Sequence, residues 1–264
     1  MILWVDGGHD PIENMRRDRE LLAAAEHGAE PVLRLFRFAP MGITLGAHQD
    51  PERELDLDHC AADQVPWAIR PTGGRAIFHA QEWTYSFAAP IGDRRWGASR
   101  ADSYARLGEL IVSSLQRLGV PAALDRGESR GRVSAPRRPG GPAVPCFASA
   151  IPNEIVLDGR KLVGSAQRRT RSGWLQQGSL LLGEGHLRLV DYLRLPSWGK
   201  DELRDRLALA TRPAGRWLGQ DAPLGVWADA LDPGLPAGTR RLEGPAGAFL
   251  LTLGNRDSYT PAAC

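Results

Sequence analysis

Arg70-Pro71-Thr72-Gly73-Gly74-Arg75-Ala76-Ile77-Phe78-His79 sets two adjacent glycines between short runs of strand-forming residues. Adjacent glycines let the backbone turn tightly and approach a ligand closely, while Arg70 and Arg75 bring fixed positive charge suited to a phosphate or a carbonyl oxygen. The stretch lacks the GxxxxGK[ST] spacing of a nucleotide-binding loop. Taken alone it also reads as a plain hairpin turn, so its meaning depends on what surrounds it.

Moving outward, Asn14 to His27 has helical spacing of Met15, Leu21, Leu22 and Ala25 and stops at Gly28. Strands are expected at Pro31–Phe38, Trp67–Arg70, Ala76–Phe78 and Trp83–Ala88, so the first third reads as strand-rich after one helix. Ser99 to Leu118 places Tyr104, Leu107, Ile111, Leu115 and Leu118 on one face, and Gly119 and Pro121 end it. Arg126 to Pro145 is dense in Gly, Pro and Arg with no apolar period, and reads as a long mobile loop. Asp158-Gly159 marks a two-residue hairpin between Asn153–Leu157 and Arg160–Ala166. Trp174–Leu182 adds a strand, and about Leu187 to Leu231 suggests two or three helices. No linker divides the chain, so one domain over 1–264 is expected, with a core of about 14–210 and a weakly patterned C-terminal tail.

The 264 residues are 42% hydrophobic and 24% charged, with a net charge of +2. Such a balance gives no general attraction to nucleic acid or membrane surfaces, and no apolar run approaches the roughly 20 residues of a membrane span. The start of the chain lacks a secretory pattern, and Cys60, Cys146 and Cys264 form no disulfide framework, so a cytoplasmic protein with free thiols is expected. Six scattered histidines show no zinc-ligand spacing, and no structural metal is expected.

Cys146 follows the Arg-rich loop as Pro145-Cys146-Phe147-Ala148. A thiolate is a strong nucleophile and its thioester a reversible carrier of an acyl group when a nearby cation lowers the thiol pKa; the ordinary alternative is a small buried residue. Lys161 opens a strand after the Asp158-Gly159 turn, and Gly164 and Ser165 beyond it leave room for a ligand. A strand-end lysine is ordinarily just exposed, yet only Lys161 and Lys200 among 33 basic residues are lysine, which draws attention to a compact primary amine. Lys200 reads as a surface residue, His79 as a pocket residue rather than the acid/base group, Cys60 as packing, and the eight tryptophans as core or rim.

RPTGGRAIFH, followed by Glu82, Thr84, Tyr85 and Ser86, is similar to the lipoyl-binding signature of the biotin/lipoate A/B protein ligase superfamily. GRKLVGSAQRR and the later LQQGSLLL (Leu175 to Leu182) are similar to its lysine-bearing signature, and the resemblance runs from Asn14 to about Gly183. It implies an α/β (α+β) fold of mixed sheets packed with helices, holding an acyl chain beside the RxTGG turn. A cysteine fifteen residues before the lysine, as Cys146 and Lys161 are, resembles the octanoyltransferase branch rather than the ATP-dependent ligases. By that resemblance Cys146 is the thioester nucleophile and Lys161 lowers its pKa. Arg70, Thr72, Gly73, Gly74, Arg75, Ala76, Phe78 and His79 line the acyl pocket, with Gly164, Ser165 and Ala166 opposite. The implied reaction moves octanoyl from octanoyl-acyl carrier protein to a lysine of a lipoyl-domain protein such as glycine-cleavage H protein, by a monomer and without a cofactor. The five arginines of 126–138 are offered as a contact for these acidic partners. An ATP-dependent lipoate–protein ligase and a non-catalytic acyl-binding protein are the alternatives. Gln177 departs from the family pattern, which often has His there.

Overall fold

The computed structural model describes residues 1–125 and 154–244. The expected loop before Cys146, Cys146 itself, and the tail from 245 with Cys264 lie outside the described residues. The strands are β1 (Ile2–His9), β2 (Val32–Phe38), β3 (Gly42–Leu45), β4 (Trp67–Ile69), β5 (Ile77–His79), β6 (Glu82–Pro90), β7 (Ala122–Asp125), β8 (Glu154–Leu157), β9 (Arg160–Arg169), β10 (Gly173–Leu181) and β11 (Arg240–Glu243). The helices are α1 (Pro11–Glu26), α2 (Pro51–Glu54), α3 (Leu57–Ala62), α4 (Arg100–Arg117), α5 (Leu189–Tyr192), α6 (Ser197–Ala210), α7 (Gly215–Leu218) and α8 (Leu224–Leu231).

Eight strands form one mixed sheet in the order β11-β1-β2-β6-β10-β9-β8-β7, and β4-β3-β5 form a second. The expected mixed sheets packed with helices are therefore present. β1 runs parallel to β2 and β11, whereas β6, β10 and β9 pair antiparallel. All nine residues of β10 are buried, as befits a strand with neighbours on both edges and helices over the sheet.

Local chemistry explains the main boundaries. α1 starts at Pro11, three residues before the apolar period, because the Asp10 side chain accepts hydrogen bonds from the backbone N–H groups of Ile12 and Glu13. In α4, Ser99 and Asp102 form a reciprocal capping box, Leu107, Ile111 and Leu115 are buried, and Gly119 ends the helix at φ +79°. Asp158 and Gly159 both take positive φ, 50° and 73°, which matches the right-handed twist of the β8–β9 hairpin.

Two corrections follow from the sheet. A strand precedes the first helix: β1 is not legible as a strand because Gly7 and Gly8 interrupt it at a register shift between Val5 and Gly7. The buried set also runs from Ile2 to Leu231, wider than 14–210, since Trp227 of α8 stacks on Trp83 of β6. Among the described residues, no helix is long and apolar enough to cross a membrane. Cys60 is packed as expected, and burial, reinforced by Asp56, pushes its thiol pKa up.

Candidate active site

The RPTGG turn is held from inside by its own arginine. Arg70 is 4% exposed and donates from Nη2 to the carbonyls of Gly73 (2.9 Å) and Arg75 (2.8 Å), and from Nη1 to the carbonyl of Thr44 (3.2 Å). Its planar fork thus fixes the turn against β3 as well as bringing charge to it. Gly74 needs its lack of side chain, with φ at +97°. The opposing Gly46 needs it too, because a Cβ there would lie 2.1 Å from the Gly74 carbonyl oxygen.

Beside the turn lies a cleft of about 20 Å³, lined on one side by Arg70, Ile77 and His79 and on the other by Gly164, Ser165 and Ala166 of β9. Met15, Phe36 and Phe38 make an apolar wall, and Gln177, Gly178 and Ser179 of β10 form the base. Five expected pocket residues are therefore together: Arg70, His79, Gly164, Ser165 and Ala166. Phe78 is not among them. Strand side chains alternate, so Ile77 and His79 face the cleft while Phe78 points the other way and stacks on Tyr192 at 5.7 Å. Ala76 packs in the same apolar cluster as Phe78 and Tyr192, and Arg75 sits at the surface, 3.4 Å from Glu54. Thr72, Gly73 and Gly74 shape the turn behind the cleft wall. The wall residues Met15, Phe36 and Phe38 were not anticipated; each looks in sequence like ordinary core.

Two buried polar systems stiffen the cleft. His79 stacks on Phe38 with centroids 3.8 Å apart, and its Nδ1 is 2.7 Å from Glu82 Oε1. A carboxylate oxygen accepts, so Nδ1 donates to it, and Nε2 lies 2.6 Å from Thr44 Oγ1. Thr84 and Ser179 hydroxyls donate to the same Glu82 oxygen, at 2.6 and 3.1 Å. The second system lies behind Thr72, whose hydroxyl donates to Gln177 Oε1 at 2.6 Å. The Gln177 amide donates to Asp18, which also accepts from Ser86 Oγ (2.6 Å) and from Arg34 Nη1 (2.7 Å). Arg34 bridges on to Asp6 at 2.8 Å, and the side chains of Arg34, Asp6 and Asp18 are all fully buried. Asp6, Arg34 and Asp18 stand on β1, β2 and α1, so three elements are tied to one turn.

Lys161 is not an exposed strand-end residue. It is 4% exposed, and its ammonium contacts Glu154 Oε1 across the β8–β9 hairpin. Its backbone is fixed by an isolated parallel bridge to Thr211 and by the Arg212 N–H donating to its carbonyl at 2.9 Å. A buried carboxylate beside a buried ammonium keeps the cation in one place, three residues before the glycine that opens the cleft wall. Lys200, by contrast, is partly exposed and donates to the Asp191 carbonyl at 2.7 Å. Glu154 is a feature sequence reading missed: the hairpin register sets Val156 opposite Lys161, and Glu154 reaches the ammonium diagonally from two residues along β8, past a register shift.

With this geometry in hand, comparison with known proteins is informative. Octanoyltransferase LipM of Kyrpidia tusciae is 36% identical over 197 residues, covering 74% of this chain and 69% of that protein. Octanoyltransferase LipM of Symbiobacterium thermophilum is 34% identical over 233 residues, 86% of this chain and 81% of that protein. Among solved structures, a bipartite lipoate protein ligase of Thermoplasma acidophilum superimposes with a TM-score of 0.67 at 19% identity, over 92% of this chain and 86% of that one. A lipoate-protein ligase A bound with ATP gives 0.66 at 19% identity, over 97% and 93%. These two structures establish the shared fold. Residues 10–198 match the family sequence pattern, and the chain belongs to the lipoyl protein ligase A/B catalytic domain family.

Proposed function

We propose that this chain is an octanoyltransferase of lipoate biosynthesis, taking octanoyl from acyl carrier protein and delivering it to a lysine of a lipoyl-domain protein such as glycine-cleavage H protein. The observation that carries the reading is the alignment, at 34–36% identity, with octanoyltransferases across most of the chain. The buried Lys161 on the strand that walls the RPTGG cleft supports it. The chain is thus an acyltransferase, acting as a cytoplasmic monomer.

The reaction runs in two displacements. The Cys146 thiolate attacks the carbonyl of the donor thioester; the new C–S bond forms as the donor sulfur leaves as a thiol, taking the proton that Cys146 gave up. The unprotonated amine of the acceptor lysine then attacks the octanoyl-Cys146 carbonyl. The C–S bond breaks, the amide forms, and the amine proton ends on the departing sulfur. In both steps a thiolate forms or leaves, and a fixed ammonium at Lys161 stabilises it. The Gly164–Ala166 wall and Arg70 flank the chain that the carbonyl carries.

Intact mass spectrometry after mixing with octanoyl-acyl carrier protein tests this. An octanoyl adduct that disappears in Cys146→Ser is expected. An unmodified wild-type protein, or product formed from free octanoic acid and ATP without the carrier, refutes it.

A further inference from the structure

The surface beside the cleft carries an unusual concentration of arginine. The end of β9 and its turn present Arg168, Arg169 and Arg171, and the segment packed next to it presents Arg94, Arg95 and Arg100. Hydrogen bonds fasten the two pieces together: Arg169 donates to Ser103 Oγ (2.9 Å) and to the Ala98 carbonyl (3.4 Å), and the Ile91 N–H donates to the Ser172 carbonyl (2.8 Å). Arg94, Arg95, Arg100, Arg168 and Arg171 are exposed, and Arg169 is half-buried over the Trp174 ring at 5.6 Å.

Arg16, Arg75, Arg204 and Arg241 each hold a carboxylate in an ion pair. Among the described residues none of the six does, and although single arginines elsewhere share that state, these six are grouped. Of the acids beside them, Asp93 and Asp102 are turned to capping duty on the backbone N–H groups of Arg95 and Ser99, and Glu26 packs against Gly173. Cations therefore outnumber these acids on this surface in a chain whose net charge is only +2. The positive end of the 18-residue helix α4 opens onto the same face. Burial, and next the charge of Arg100, lower the pKa of Arg169, and Asp102 offsets part of that. Grouped, exposed cations in excess over the neighbouring acids suit an external anion.

Its position indicates which one. Arg168 reaches back to donate to the carbonyl of Pro71 at 3.3 Å, inside the RPTGG turn, and lies two residues past Ala166 in the cleft wall. Side chains alternate along β9, so Arg168 stands on the cleft side and Arg169 on the α4 side, and the arginines run from the cleft rim round the end of the strand. We propose that this face docks the acyl donor, through an acidic surface of the carrier protein that presents the octanoyl thioester. The inference rests on the transferase reading above. A carrier seated on the arginines brings its thioester arm over the turn, and charge complementarity raises the encounter rate without altering the chemistry at the carbonyl.

The test compares a protein-borne donor with a small one. Acylation of the full chain by octanoyl-acyl carrier protein and by octanoyl-N-acetylcysteamine is followed by mass, in wild type and in the Arg94→Glu/Arg95→Glu/Arg100→Glu/Arg171→Glu variant, at low and high salt. The expected result is a loss of about tenfold or more in kcat/KM with the carrier and a flattened salt dependence, with the small thioester unaffected. The same four positions changed to Gln give a smaller loss in the same direction, and the small-donor rate reports that either variant is folded. Unchanged carrier kinetics in both variants overturns the proposal. A defect confined to transfer from the acyl-enzyme to the acceptor protein overturns the assignment to the donor. Failure of wild type to react with either donor instead refutes the transferase reading itself.

Discussion

Replacing Asp18 with alanine should loosen the fold and the turn together. In the native protein Asp18 is fully buried and balances Arg34, which is fully buried as well; Asp6 supplies the other counter-charge and must also serve Arg17. Without Asp18 the fully buried Arg34 keeps only Asp6, which it shares with Arg17, itself also paired with Glu13. Ser86 Oγ and the Gln177 amide lose their acceptor at the same time. Removing one partner of a buried ion pair costs about 3–5 kcal/mol, because the remaining charge stays desolvated. For a chain of this size, at roughly 2–4 °C per kcal/mol, the melting temperature should fall by about 6–20 °C. Urea unfolding and calorimetry measure this directly. Asp201→Ala serves as the control: Asp201 is 80% exposed and 3.5 Å from Arg204, so its loss should stay within about 0.5 kcal/mol. Gln177 freed from Asp18 also releases Thr72, so the folded fraction of Asp18→Ala should acylate more slowly. An Asp18→Ala protein within about 1 kcal/mol of wild type would show that the network is not the anchor described.

Three further outcomes are expected. In Gly178→Ala the new methyl carbon would stand 2.2 Å from Tyr85 Cε1 and 2.8 Å from Ser165 Oγ; overpacking of about 1–3 kcal/mol and weakened use of octanoyl donors should appear in unfolding and steady-state assays. Burial, its largest cause, lowers the His186 pKa to about 4 from an ordinary 6.5. The unfolded chain then takes up a proton that the folded one refuses, so stability should be full above about pH 6.5 and fall toward pH 4 by about 3 kcal/mol, a slope that His186→Gln removes in pH-dependent unfolding. Lys161→Met should destabilise by about 3 kcal/mol by leaving Glu154 buried without its ammonium, and Lys161→Met/Glu154→Gln should recover most of that stability but none of the acyl transfer, as thermal melts and adduct mass would report.

What could be seen in the sequence was whatever is local. Asp158-Gly159 and the helical pattern after Ser99 announce themselves because local pattern sets their conformations, and the structure holds a hairpin and a helix there; the RPTGG turn is local too, but it joins two strands that each pair with β3 rather than with each other. Asp6, Asp18 and Arg34 did not, because they lie on three elements and each looks like a surface charge until the sheet and α1 assemble. Phe78 was assigned to the pocket with its neighbours since a motif does not state which face of a strand a side chain takes. The burial of Lys161 was equally hidden: its partners are Glu154 on the neighbouring strand and, at the backbone, a bridge to Thr211 fifty residues on. Gln177 is the instructive middle case. It was visible as a departure from the family pattern, but its role as the link between Thr72 and Asp18 required the register of β10 against its neighbours.

The central position of β10 bears on how such a protein can change its substrate. Gln177, Gly178 and Ser179 meet the cleft, the buried charge network and the His79–Glu82 pair within three consecutive residues of one fully buried strand. Variation at this base is therefore constrained by folding before it is ever tested by selectivity. Of the apolar wall, Phe36 lies against Arg34 at 3.9 Å and Phe38 stacks on His79, which leaves Met15 as the member whose volume-conserving exchange costs least. Divergence in the acyl chain accepted should accumulate there, on α1, while the strand beneath stays fixed.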